Sequence, residues 1–329
     1  MCPANMEGQQ LSTQKMCFIA QEFNAFELKT STSGGVASAL AKQFCKNGGV
    51  VYGAAFASGM KLEHIRCVDE NDCEKIKGSK YVQSDILQAF SQIECDLKRA
   101  IPVLFIGTPC QCAAMKNAFD KYSYFFCCDF ICNGVGSPLI FKRHIEWLEK
   151  IYHCDINNYF FRPKVKKYLE PYECFLDTKG KQHRVKSPWK KWGTIYYSAL
   201  VLRSSCFACK YSRESRIGNF TFSDIPLELT HQLELPLDIM KYGASLISIN
   251  DTKGMILLEK INNKVYLSET ERHLLDYNKH TLHDIQKKNN FCRDASGSLK
   301  QAKNRYLGQK MKIKSILIEI IDCFFSNDR

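Results

Sequence analysis

The chain has 329 residues, 45% hydrophobic and 24% charged, a globular composition that excludes disordered and collagen-like chains. It is long enough for one large domain or two smaller ones, each with its own core. The formal net charge is +12, and between Ile140 and Arg216 there are 17 Lys and Arg against 7 Asp and Glu. Such a field suits an anionic cofactor, an acidic partner or a plain solvated surface. Nucleic acid is not expected, because zinc-finger spacing, an RNA-binding aromatic signature and a helix-turn-helix are all missing. No leader sequence opens the chain, and no apolar run reaches the ~20 residues of a membrane span. The longest run, 316–325, carries Glu319 and Asp322. A cytoplasmic protein with reduced thiols is therefore expected, and its 17 cysteines, odd in number and irregular in spacing, do not suit a disulfide scaffold.

Residues 30–49 predict a capped helix ended by Asn47-Gly48-Gly49, opened by Ser31-Thr32-Ser33-Gly34-Gly35. Strands are expected at 50–57 and 64–68, a helical stretch over 74–100 broken at Gly78-Ser79, and a short buried strand at 103–106. Two similar strand–turn–helix units follow. The first turns at Gly107-Thr108-Pro109-Cys110 and continues as a helix to Phe119. The second runs as a strand over 124–131, turns at Cys132-Asn133-Gly134-Val135-Gly136, and enters a helix capped by Ser137-Pro138 that reaches about Lys150. Strands alternating with helices predict a parallel sheet whose ligands gather beyond the strands' carboxyl ends, where Cys110 and Cys132 both fall. Beyond 150, strand-like runs at 159–162, 172–177, 195–202, 219–224 and 244–250 are separated by basic loops, and from Asn262 the chain reads as polar, helical and basic. The fold class is α/β, with a mixed, partly parallel sheet flanked by helices, a basic strand-rich second half and a helical C-terminal tail.

Cys206-x-x-Cys209 is the sharpest local signal: two thiolates in a tight turn suit a shared metal centre or a redox pair, and Arg203, Lys210, Arg213 and Arg216 stand around it. With no second such pair, a four-thiolate site must recruit dispersed partners, for which Cys110 and Cys132 are best placed. Cys110 lies in the first turn of a helix, whose partial positive charge is expected to depress its pKa. Cys112, Cys127 and Cys128 read as core, the last two on opposite faces of a strand. Ser33-Gly34-Gly35 before a helix suits either an anion or a simple capped turn. Ser79-Lys80-Tyr81 with Gln83 offers a cation, a ring and an amide together. The Rossmann and Walker A fingerprints are missing, and His64, His144 and His153 read as structural or surface residues.

Taken in order, these motifs resemble the coenzyme F420 hydrogenase/dehydrogenase beta-subunit family. The resemblance runs along about 220 residues: Ser33-Gly34-Gly35, Gly48 to Ala54, Gly78 to Ser84, Gly107 to Gln111, Asp129 with Cys132 to Val135 and Ser137-Pro138, Arg203 to Cys209, and Gly243 to Leu246 with Asn250 to Gly254. It implies an oxidoreductase subunit binding FAD and a 4Fe-4S cluster. Electrons would pass between a ferredoxin or iron–sulfur partner subunit and a small-molecule redox substrate, coenzyme F420-like or other. Residue by residue, it implies Cys110, Cys132, Cys206 and Cys209 as the cluster thiolates. It places the flavin among Ser33, Gly34, Gly35, Ser79, Lys80, Tyr81, Gln83, Gly107, Thr108 and Pro109. The expected division is an N-terminal segment 1–29, a flavin-binding domain 30–101, a C-terminal-type domain 102–261 with the iron–sulfur site, and a basic helical tail 262–329.

The chain departs from the family pattern at Asn133, where the family has His, and at Arg216…Asn219…Thr221…Asp224, which lacks one aspartate. The departures continue at Pro226-Leu227-Glu228-Leu229, where Trp-Gly is usual, and at Lys167-Tyr168, where Gly-Trp is usual. These bear on substrate identity. Met1-Cys2-Pro3 reads either as the stub of a ferredoxin-like segment or as an unrelated terminus. The alternative reading of the whole is a non-catalytic zinc-thiolate interaction module, linked to polysaccharide biosynthesis as bacterial relatives often are.

Overall fold

The computed structural model describes residues 16–164, 172–212, 214–225, 235–270 and 282–307. Met1-Cys2-Pro3, Lys167-Tyr168, Arg213, Pro226 to Leu229 and the run 316–325 lie outside the described residues. The chain opens with β1 (Met16–Glu22), α1 (Ala25–Thr30), α2 (Val36–Lys46), β2 (Val50–Phe56), β3 (Leu62–Cys67), α3 (Glu70–Ile76) and α4 (Leu87–Lys98). It continues with β4 (Val103–Ile106), α5 (Pro109–Phe119), β5 (Phe125–Phe130), α6 (Pro138–Tyr152), β6 (Ile156–Phe160), β7 (Cys174–Asp177), β8 (Gln182–Arg184) and α7 (Trp192–Tyr197). β9 (Phe220–Asp224), α8 (Ile239–Tyr242), β10 (Ser245–Ile249), α9 (Thr252–Glu259), β11 (Val265–Thr270), α10 (Leu282–Gly297) and α11 (Leu299–Tyr306) complete it.

One eight-stranded sheet runs β11-β1-β10-β9-β5-β4-β2-β3. Its centre, β2, β4, β5 and β9, is parallel. β3 on one side and β10, β1 and β11 on the other add antiparallel. This is the mixed, partly parallel α/β sheet that the alternating pattern predicts. The side-chain period of two sends Val51, Leu104, Phe126 and Cys128 to the face covered by α2, α3 and α9, and Val50, Val103, Phe105, Phe125 and Cys127 to the face covered by α4 and α5. Cys112, Cys127 and Cys128 are fully buried, as core thiols should be. A smaller sheet, β6-β7-β8, packs with α6, α7, α10 and α11 around Phe141, Phe175, Trp192 and Phe291.

Four local readings are corrected. Residues 195–202 are not a strand: α7 ends at Tyr197 and a turn follows, with Ala199 at φ 56°. The aromatic run looked strand-like, but the buried Glu173 carboxylate accepts from Trp192 N at 2.8 Å and Gly193 N at 2.9 Å, satisfying the first amides of a helix. The 74–100 stretch is split far more widely than at Gly78-Ser79, because 77–86 leaves the helix to bridge neighbouring strands through Val82 and Asp85. The C-terminal region begins with a strand, β11, rather than a helix. β1, in the segment for which no element was predicted, lies inside the main sheet between β10 and β11. The sheet thus draws strands from both sides of the divisions expected at 29, 101 and 261.

Candidate functional site

The pairing registers bring the carboxyl ends of β1, β2, β4, β5 and β9 and the amino end of β10 to one edge of the sheet. β4 and β5 end at Ile106 and Phe130, so the turns that carry Cys110 and Cys132 open side by side. The Cys206 turn arrives by a different route. After α7, Ser137 N donates to Val201 O at 2.8 Å and Arg203 N to Val135 O at 3.0 Å, with Leu202 bridged to Gly136. This short pairing of 201–203 with 135–137 lays Cys206-x-x-Cys209 beside Cys132.

All four cysteines are partly buried. Cys110 and Cys209 pack on the same apolar cluster as α4 and α5. Burial pushes the Cys132 thiol up, and Cys110, Cys206 and Cys209 add to the shift as neighbouring negative charges. Burial likewise raises Cys110 and Cys206, against which Arg203 pulls both down. The helix terminus was expected to depress Cys110; desolvation outweighs it. Gly134 N donates to Cys132 Sγ at 3.4 Å, and the Val135 amide lowers the Cys206 thiol, so two successive backbone amides favour thiolate at two of the four sulfurs. Gly134 has φ 107°, and a Cβ there would stand 3.0 Å from Leu202 Cδ1 and 3.4 Å from Cys206 Cβ. Among the described residues, no three of these sulfurs lie mutually within 4.8 Å. Four thiols come together beside amide donors and an arginine.

The three segments that hold the ten residues expected around the flavin are hydrogen-bonded to one another. Thr32 Oγ1 accepts from Ser79 N at 2.9 Å, Gln111 Nε2 donates to Ser84 O and Oγ at 3.1 and 2.9 Å, and Gln83 N donates to Gly136 O at 3.0 Å. These bonds join the 31–35, 79–84 and 107–111 segments to each other and to the cysteine turn. Many of the side chains, however, serve the protein itself. Ser33 Oγ donates to Ala244 O at 2.6 Å. Lys80 Nζ caps the end of α3 through Ile76 O and Lys77 O, both at 2.7 Å, and burial pushes its pKa down to about 7. Thr108 and Gln111 form a capping box on α5, with Pro109 in its first turn. Gly107 sits against the Phe105 ring. Tyr81 stacks on Tyr196 at 4.6 Å and accepts a hydrogen bond from Tyr197. A Cβ on Gly34 would lie 2.4 Å from Ser245 N and 2.5 Å from Ala20 O, so glycine is required for packing. The start of α2 is buried, with Gly35 at φ 76° as its N-cap and no side chain capping it.

Sequence reasoning assigned no role to Lys164, which donates to Leu28 O at 2.9 Å, to Ser33 O at 2.5 Å and to Tyr242 O, and thereby ties the basic segment to the Ser33 turn. Nor did it see that Asp129, fully buried, accepts from Thr221 Oγ1 at 2.6 Å and Gly218 N at 3.1 Å and pairs with Arg216 at 3.2 Å. Asn219 donates to Asp251 Oδ2 at 2.7 Å and Asn250 to Gly218 O at 2.8 Å. Arg216, expected among the charges around the thiolates, is buried in this staple across β5, β9 and β10. The signal was the polar residue recurring within apolar strands, which in a fully covered sheet must be hydrogen-bonded.

A family model for the C terminus of the coenzyme F420 hydrogenase/dehydrogenase beta subunit matches residues 102–273. No curated protein sequence matches the chain. Among solved structures, a chain of the F420-reducing NiFe hydrogenase complex from Methanosarcina barkeri is similar over 89% of this chain and 94% of that chain. Its TM-score is 0.53 and its identity 14%, a likeness of fold.

Proposed function

Because the chain belongs to the coenzyme F420 hydrogenase/dehydrogenase beta-subunit family, we propose that it is a cytoplasmic electron-transfer subunit holding FAD and a 4Fe-4S cluster. It would relay electrons between a ferredoxin or iron–sulfur partner subunit and a small two-electron substrate. The observation that carries this reading is the convergence of Cys110, Cys132, Cys206 and Cys209 from three separate turns at one sheet edge. When bound, the cluster supplies one-electron steps and the flavin pairs them. Gly134 N–H and Arg203 stabilise thiolate ligands. Ser33-Gly34-Gly35 would hold the flavin near the start of α2, and Tyr81 with Tyr197 would give an aromatic rim beside the cysteine turn. The zinc-module alternative would place one ion and no sulfide at the same four thiols. Among the described residues no helix is long and apolar enough to cross a membrane.

The test is anaerobic purification with iron, sulfide, zinc and flavin quantified together. About four iron and four sulfide per chain are expected, with flavin. Cys209→Ser should abolish the iron–sulfur content, whereas Cys128→Ser should leave it intact. Stoichiometric zinc with no sulfide, or loss of iron in Cys128→Ser alone, overturns the assignment.

A further inference from the structure

A second group of metal-ligating side chains lies at the smaller sheet, in the stretch of chain between Cys132 and Cys206. The register Phe175↔His183 puts Asp177 and His183 on one face of the β7–β8 hairpin, two residues apart across the strands. The 178–181 turn holds Asp177 firmly: its Oδ1 accepts from Lys179 N and Lys181 N, both at 2.9 Å, leaving Oδ2 to meet His183 Nε2 at 2.9 Å. His183 is oriented by stacking on Phe175 at 4.9 Å, with Tyr152 edge-on. Cys154 approaches from the end of α6, where His153 at φ 52° turns the chain toward β6. The Cys154 sulfur, an Asp177 oxygen and a His183 nitrogen all lie within 4.8 Å of one another. An adjoining cavity of about 430 Å³ is lined by Glu146, Glu149, Lys150, His153, Cys154 and Asp155. Three carboxylates there favour a cation, and the cavity gives room for a water or a fourth ligand.

We propose that Cys154, Asp177 and His183 bind one divalent metal ion of the zinc type, with a fourth position open to the cavity. The donor set decides the class. Calcium and magnesium take oxygen ligands, whereas one thiolate, one imidazole and one carboxylate suit a borderline-soft transition metal. Three protein ligands plus an open position is a recurrent arrangement for zinc. The backbone amides at 179 and 181 and the Phe175 ring fix the two hairpin ligands, and the metal would replace the Asp177 Oδ2–His183 Nε2 hydrogen bond, releasing to solvent its proton and that of the Cys154 thiol. Such an ion would pin the end of α6 to the β7–β8 hairpin. α6 begins just after Cys132, and the hairpin leads to α7 and on to Cys206, so the ion would brace the scaffold that connects two cysteine turns.

The experiment is a cobalt(II) titration of the full-length protein after metal removal by chelation, with absorption spectra recorded. The wild type should show a thiolate-to-cobalt charge-transfer band. Cys154→Ser should lose the part of that band that Cys132→Ser retains, and His183→Gln should weaken that part of the binding at least tenfold. Cys132→Ser, which touches only the other cysteine group, should retain this part. Matching far-UV circular dichroism of Cys154→Ser and wild type keeps misfolding apart from ligand loss. A titration unchanged by both Cys154→Ser and His183→Gln, or no cobalt band in the wild type, overturns the proposal.

Discussion

His64 sits on β3 with its Nε2 3.0 Å from Ile106 O, the last carbonyl before the Gly107-Thr108-Pro109-Cys110 turn, and its ring stacks on Phe105 at 4.7 Å. A carbonyl only accepts, so Nε2 carries the proton and the neutral ring is the form that fits. Burial pushes the pKa down to about 4, only partly opposed by the Ile106 carbonyl. Because the folded value lies below the unfolded one of ~6.5, the unfolded chain takes up the proton first. His64 therefore contributes stability that is whole above about pH 6.5 and falls as the pH drops toward 4. From pH 7 to pH 5 its share is about 2 kcal/mol. Urea unfolding at the two pH values should show that His64→Gln loses less stability on acidification than the wild type; equal losses would refute the assignment. His144, also buried and pushed down by burial, is common to both proteins and cancels. Gly34 and Gly134 follow a related rule at the same scale. Gly34 is held to glycine by backbone atoms of Ser245 and Ala20 and Gly134 by its positive φ beside Leu202, whether or not a cofactor lies next to them.

At the scale of elements, α7 depends on a partner distant in sequence. Glu173 sits in a buried pocket where its carboxylate takes the amides of Trp192 and Gly193 and the Tyr159 hydroxyl. Glu173→Ala leaves these donors without their acceptor and should cost about 3 kcal/mol, read as a lower urea midpoint with an unchanged slope. A cost under ~0.5 kcal/mol, the range of neutral surface substitutions, would mean that α7 does not need this cap. Thr108 with Gln111 and Ser137 with Pro138 cap their helices from within the motif, which is why α5 and α6 were legible in advance while α7 was not. The break between α3 and α4 belongs with α7. Gly78-Ser79 announces that the helix breaks, but the width of the break comes from partners outside the window, Glu63 for Asp85 and Gly136 for Val82.

For the molecule as a whole, the main sheet is a single unit in which β1 from the amino-terminal region is paired on both sides. Removing residues 1–24 would strip β10 and β11 of their shared neighbour and expose a long sheet edge. The truncated chain should lose cooperative urea unfolding. Full cooperative unfolding of that variant would show that the amino-terminal strand is a detachable appendage. The same continuity explains how one edge collects turns 211 residues apart, from Ser33 to Ala244, through the bond between them.

The sequence by itself determined the mixed α/β class, the two strand–turn–helix units with their caps, the core thiols at 112, 127 and 128, and the family. Each of these is written in local periodicity, capping chemistry or ordered short motifs. Only the tertiary structure decided that 195–202 is the end of a helix and a turn rather than a strand, that β1 and β11 complete the sheet, and that many residues expected around the flavin are spent on internal hydrogen bonds. It also decided that Cys154, Asp177 and His183 meet. These outcomes rest on partners far apart in the chain, on buried polar groups that must be satisfied and on strand registers, and no local window of residues records which distant group supplies them.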